Sequence, residues 1–166
     1  MTKPFVLTRT FDAPRKLVWD ALTKAEHLKH WMGPAGTKMS RVTVDLRPGG
    51  IFHYGMAMPN GDLMWGKWTF KEIVPPEKLV VIVSFSDENL GVIRHPMAPV
   101  WPLETLSTTT LKEQDGKTLM RLEWSAYNAT AEEQAMFDSS HSGNAVRNCA
   151  TTLGATNPRS AISPRI

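Results

Sequence analysis

His53 and Tyr54 are neighbours in this chain, one a proton-transfer group and the other a phenol. They sit in an alternating stretch, Phe52-His53-Tyr54-Gly55-Met56, so a β-strand there turns them to opposite faces. With Phe52 and Met56 on its side, Tyr54 is the one expected to point inward. A tyrosine hydroxyl in an apolar hollow needs a partner, either a ligand carbonyl to which it donates or backbone at the rim. His95 lies in a proline-rich connection, where it serves as acid or base at a pocket mouth or packs the loop beside Pro96. Glu104 follows Trp101-Pro102 and is a second candidate polar anchor; as a structural residue it would instead pair with Arg94, Arg41 or Arg121. Asp45 and Arg47, just before Gly49-Gly50, read as turn-fixing residues.

No other chemistry is spelled out. His27 and His30 share one face of a short helix, a spacing a metal ion can use. No Cys or carboxylate pair completes that set, and Glu26 faces elsewhere, so no metal is expected. Gly-x-Ser-x-Gly, Gly-x-Gly-x-x-Gly and phosphate-binding loops are missing, which leaves no catalytic residue and no cofactor to assign.

The stronger signal is apolar. Trp65, Trp68, Trp101 and Trp124 fall on or beside strand candidates, and Trp19 and Trp31 flank a helical stretch. Tyr54, Met56, Trp68, Phe70, Phe85, Trp101 and Trp124 form the candidate lining of an internal cavity for a small hydrophobic ligand. The rival reading is a solid core, and periodicity alone does not separate the two. A dry hollow of about 300 Å³ costs roughly 7 kcal/mol, comparable to a domain's whole stability. Such a hollow is therefore filled by ligand or water, or kept small. The nine methionines add polarizable lining suited to loosely specified apolar partners.

The elements that would position these residues follow from alternation and turn signals. Phe5 to Phe11 reads as a strand, and Asp12 or Ala13 is the expected cap of a helix through Leu22. A second short helix covers Ala25 to His30. Val42, Val44 and Leu46 form one face of a strand ending at Pro48-Gly49-Gly50. Phe52 to Met58 and Met64 to Phe70 are joined through Asn60-Gly61, read as a type I′ hairpin turn. Leu79 to Phe85 reads as a buried strand, and Thr105–Glu113 pairs with Thr118–Trp124 across Asp115-Gly116, also a type I′ signal. From Ala131 the composition turns helical. The result is an α+β chain whose curved antiparallel sheet of about seven strands wraps a carboxy-terminal helix. Ser86 to Leu103, with three prolines, is expected to form a rim or lid at the cavity mouth.

Bulk properties narrow the class. At 166 residues, 42% hydrophobic and 21% charged, the chain is one soluble domain. A net charge of +3 with interspersed signs argues against nucleic acid. No signal-peptide core and no apolar run of about eighteen residues is present, so no membrane partner is expected. The single cysteine, Cys149, fits a reducing cytoplasm.

Three stretches carry a family resemblance. The first is Arg9-x-Phe11-x-Ala13-Pro14-Arg15-x-x-Val18-Trp19-x-Ala21-Leu22-Thr23, running on to Trp31 and Pro34. The second is Asp45-x-Arg47-Pro48-Gly49-Gly50, followed by Gly66 and by Ile73-Val74-Pro75-Pro76-Glu77-Lys78-Leu79. The third is His95-Pro96-x-x-Pro99-x-Trp101-Pro102-x-Glu104, then Gly116-x-Thr118 and Trp124. Together they resemble the SRPBCC superfamily, which includes the birch-pollen allergen and the START domains. Within it they are most similar to the branch named for homology to the activator of the heat-shock-protein ATPase.

That resemblance implies the helix-grip fold and an apolar internal cavity. It makes a hydrophobic-ligand binder the leading expectation. A cyclase, dehydratase or hydrolase using the same cavity is one alternative, and a co-chaperone-like partner of a heat-shock-protein ATPase is another. The match covers roughly residues 5 to 140 and then fades. The helix-grip domain is therefore expected over 1–143, with a divergent tail over 144–166, partly helical to about 153. Natural divergence and a reading-frame change both account for that tail. Its smaller side chains would leave a roomier cavity, a homodimer covering the gap, or lower stability.

Overall fold

The computed structural model describes residues 3–33 and 37–141. In chain order the elements are β1 (Phe5–Phe11), α1 (Arg15–Thr23), α2 (Ala25–Trp31), β2 (Lys38–Val44), β3 (Ile51–Ala57), β4 (Leu63–Val74), β5 (Lys78–Ser86), β6 (Glu104–Gln114), β7 (Lys117–Tyr127) and α3 (Ala131–Ser140). The strands form one curved antiparallel sheet in the order β1-β7-β6-β5-β4-β3-β2. This is the helix-grip α+β arrangement: a six-strand meander with β1 added along β7. The expected boundary at 143/144 and the helical stretch to about 153 lie outside the described residues, as does Cys149.

Register fixes which side chains meet. Phe52 pairs with Trp68, Tyr54 with Gly66, and Met56 with Met64 across β3–β4. Trp68 pairs in turn with Val83 and Gly66 with Phe85 across β4–β5. Because side chains alternate, these residues share the inner face. Phe52, Phe70, Leu79, Val81, Leu111 and Met120 are buried there against Ala13, Val18, Trp19 and Leu28 from the first helical segment. Two side-chain bonds lock that segment down. The hydroxyl of buried Thr118 donates to the carbonyl of Ala13 at 2.7 Å. The indole N–H of Trp31 donates to the carbonyl of Ala21 at 2.8 Å, tying α2 to α1.

Several local expectations need correction. Neither Asp12 nor Ala13 caps α1: Pro14 occupies the N-cap, with no side-chain cap bond of its own. Proline sets an extended lead-in, and Glu113 from β6 accepts the Arg15 N–H at 2.7 Å instead. The strand containing Val42 and Val44 stops at Val44, and Leu46 is left 40% exposed. Asp45 and Arg47 do fix the following turn, with a 2.8 Å ion pair and a bond from the Gly50 N–H to the Arg47 carbonyl. Gly50 is required because a Cβ there would run into the Asp45 carbonyl.

At the first hairpin Gly61 has φ +91° while Asn60 is not left-handed, and the Gly61 N–H bonds the Met58 carbonyl. That is a turn through Pro59 and Asn60 followed by a left-handed glycine, not a type I′ turn. Pro59 supplies the negative φ that excludes the mirror-image form. The second hairpin is as expected, with Asp115 at φ 53° and Gly116 at φ 72°.

Candidate functional site

Where the sheet's inner face meets the connection between β5 and β6, there is a partly open pocket of about 280 Å³. Strands supply Tyr54, Val83, Ser84, Phe85, Thr105 and Trp124; the connection supplies His95, Ala98, Trp101, Pro102 and Leu103. Among the described residues the walls contain no Asp, Glu, Lys or Arg.

Among the expected lining residues, Tyr54, Phe85, Trp101 and Trp124 come together here, with His95 beside them. Met56, Trp68 and Phe70 do not border this pocket. Phe70 is 1% and Met56 5% exposed in the core, and Trp68 packs edge-on against Phe52 with ring centres 4.9 Å apart. Glu104 alternates onto the opposite face, paired in register with Ser84 and Tyr127. It forms none of the ion pairs expected of it, because those arginines are engaged elsewhere: Arg94 with Glu133, Arg121 with Glu123, and Arg41 over the Trp65 ring. Val83 and Thr105 were readable in principle, since Val83 alternates with Phe85 and Thr105 stands opposite it. The connection's contributors carry no periodic signal.

Tyr54 is the lone contribution of β3, and it must cross β4 to get there. Its ring lies over Gly66, where a Cβ would stand 2.5 Å from Cζ and closer still to the hydroxyl. Burial pushes the phenol up to about 12, so it is a neutral donor at physiological pH. Tyr54 is only partly buried, and its hydroxyl opens on the pocket with no hydrogen bond described to it. His53 faces the other way, stacked on Trp65 at 4.9 Å and donating through Nε2 to the Asp87 carbonyl at 3.1 Å.

His95 packs edge-on against Phe85, ring centres 4.5 Å apart. Its Nδ1 accepts the Met97 N–H at 3.0 Å, so the neutral ring carries its proton on Nε2. Trp101, Trp124, Phe137 and His141 form an aromatic cluster beside the pocket, with Trp124 and Phe137 nearly perpendicular at 5.4 Å. Among the described residues the buried Nε1–H of Trp124 has no hydrogen-bond partner.

The connection is strapped to α3. Arg94 donates to Glu133 at 2.7 Å and to the Pro99 carbonyl at 3.1 Å. Glu133 also closes the capping box of α3, accepting the Thr130 N–H at 2.9 Å. The Thr130 backbone bond, then the Arg94 guanidinium, hold its carboxyl below the usual glutamate range.

A second, larger cleft of about 550 Å³ lies on the outer side. Met58, Leu63, Trp65, Ile93 and Met97 form its apolar surface, and Asp62, Asp87 and Glu88 its acidic edge. Leu63 is 51% and Met97 80% exposed. Among the described residues no group of three His, Cys, Asp or Glu side chains could hold a metal ion. No described helix is long and apolar enough to cross a membrane.

The profile of the family described as "Activator of Hsp90 ATPase homolog 1-like protein" matches residues 12–148. The chain belongs to that family. No curated protein matches it in sequence. Protein Ms6760 from Mycobacterium smegmatis is similar in structure, with TM-score 0.71, 21% identity, and coverage of 97% of this chain and 91% of that one. Protein NE0264 from Nitrosomonas europaea gives TM-score 0.70 at 23% identity, covering 96% and 94%. A protein from Arthrobacter aurescens gives 0.65 at 23%, covering 97% and 92%. At these identities the likeness establishes the family's fold and nothing about ligand or activity.

Proposed function

We propose that this member of the family binds a small apolar molecule in the inner pocket and carries or sequesters it in the cytoplasm. The supporting observation is the wall itself: Val83, Phe85, Trp101 and Trp124 converge on one space that no charged side chain among the described residues lines. Such a surface gains free energy by covering an apolar guest and offers little to a polar one. A hydrolase or dehydratase reading finds less support. The Nδ1 lone pair of His95 is engaged by backbone, Tyr54 is held neutral, and no carboxylate is among the described lining residues.

Titration with naphthalene, followed by tryptophan fluorescence, tests this. Saturable binding is expected, weakened about tenfold or more by Trp101→Ala. Unchanged fluorescence, or equal binding by the variant, refutes it.

A second reading rests on the outer cleft, whose exposed Leu63, Ile93 and Met97 beside carboxylates suit a protein contact. The family's description makes an Hsp90-type ATPase the partner to try. Acceleration of its ATP turnover that Met97→Asp abolishes would favour this reading, and no acceleration would count against it.

A further inference from the structure

We infer that the guest of the inner pocket is an uncharged ring compound bearing an acceptor oxygen, and that this oxygen accepts a hydrogen bond from the Tyr54 hydroxyl. The inference rests on the reading of the inner pocket as a ligand site, and adds the chemical class of the ligand.

Placement, proton position and charge converge on it. Tyr54 belongs to β3, yet borders a space otherwise walled by β5, β6, β7 and the connection. It gets there because its register partner on β4 is Gly66, the residue with no side chain in the way. The sheet thus delivers one polar atom into an apolar site from two strands away. No hydrogen bond to that hydroxyl is described, and Tyr54 is only partly buried, so the atom opens on the pocket, where an acceptor on a guest can take its proton in a hydrogen bond.

Proton position sets the direction of the bond. Burial keeps the phenol protonated, so it donates. His95 is arranged the same way, with Nδ1 satisfied by the Met97 N–H and the proton left on Nε2. The Thr105 hydroxyl donates to the Val83 carbonyl at 3.5 Å. Strong acceptors are therefore scarce in the lining, and donors are not.

Charge sets the last limit. Among the described lining residues a carboxylate guest would find no Lys or Arg, and an amine no Asp or Glu. Either would lose its hydration without a counter-ion. A neutral ketone, lactone or quinone-like ring meets every condition.

Three probes on one skeleton separate class from site: tetralin, 1-tetralone and tetralin-1-carboxylate, titrated at neutral pH by tryptophan fluorescence and calorimetry. The ketone is expected to bind about tenfold tighter than the hydrocarbon, and the carboxylate weakest of the three. Tyr54→Phe should bring the ketone to the level of the hydrocarbon in the same variant. Equal affinity of ketone and hydrocarbon for the unmodified chain overturns the inference while the apolar site survives. A ketone preference that persists in Tyr54→Phe, or tightest binding by the carboxylate, also overturns it. If none of the three binds, the inner-pocket reading falls and the inference with it. The unmodified chain alone decides the first comparison, so the conclusion does not hang on the variant folding.

Discussion

The phenol of Tyr54 lies over Gly66, its register partner, and so passes β4 to reach a space built by β5 to β7. Mirroring it on the outer face, Trp65 lies over Gly55, where a Cβ would stand 3.1 Å from the indole. Two aromatic rings thus cover two adjacent glycines from opposite sides of one hairpin, and only the inner one borders the inner pocket.

Gly66→Ala should therefore act on both stability and binding. The new methyl overlaps the Tyr54 ring, so the ring must swing off β4. Overpacking of this kind costs about 1–3 kcal/mol. Urea unfolding should register that loss, and 1-tetralone affinity should fall. Gly55→Ala meets Trp65 at a tighter-than-usual but tolerable distance and should leave probe affinity unchanged.

Tyr54 also predicts an alkaline weakness. Its folded value of about 12 exceeds the ordinary value of 10.0, so below pH 10 both states are protonated and nothing is lost. Between pH 10 and 12 the unfolded chain gives up its proton first, and stability falls with rising pH. The loss is at most about 3 kcal/mol for two units. Chemical unfolding at pH 9 and pH 11 should reveal it, and Tyr54→Phe should flatten the difference.

Glu133 predicts a weakness at the acid end. Its carboxyl titrates below the ordinary 4.5, so the stability it contributes is present above that value and disappears as pH falls through the lower folded value. Protonation weakens both the capping box and the Arg94 tie, loosening the connection that carries His95 and Trp101. Arg94→Ala should remove only the tie. Faster amide exchange across residues 94–101 with α3 still helical is the expected result; unchanged exchange would show that the strap is inert.

Phe137 links α3 to Trp101 and Trp124 at centroid distances of 5.7 and 5.4 Å and is 1% exposed. Phe137→Ala should cost about 3–5 kcal/mol, measured as a lower urea midpoint. Tryptophan emission should shift to the red in the same variant.

The succession of strands and helical segments and the meander were legible because they follow from local alternation and turn chemistry; the place of β1 beside β7 was not, because that pairing is long-range. Asp115-Gly116 announced a left-handed pair and the chain forms one. Asn60-Gly61 announced the same and does not, because Pro59 pre-sets the preceding residue and the turn starts one position earlier. Inward-facing residues were also legible: Tyr54 and Phe85 point where alternation sends them. Depth along the inner face was not. Phe70, Trp68 and Tyr54 share a face, yet only Tyr54 borders the inner pocket, since α1 and α2 cover the other end and alternation says nothing about what lies above a strand. The Arg94–Glu133 tie spans 39 positions and two unrelated elements, so nothing in either neighbourhood foretells it.

The amino-terminal strand finds its neighbour in β7, and the Thr118–Ala13 bond joins residues 105 apart. Hydrophobic Phe5, Leu7 and Phe11 must consequently wait, unpaired, until nearly the whole sheet has emerged and ordered. Closure entropy of that span makes docking of this strand a late, slow event in folding. During synthesis its free edge is the stretch most open to pairing with the wrong molecule, and the one a chaperone would have most reason to shield.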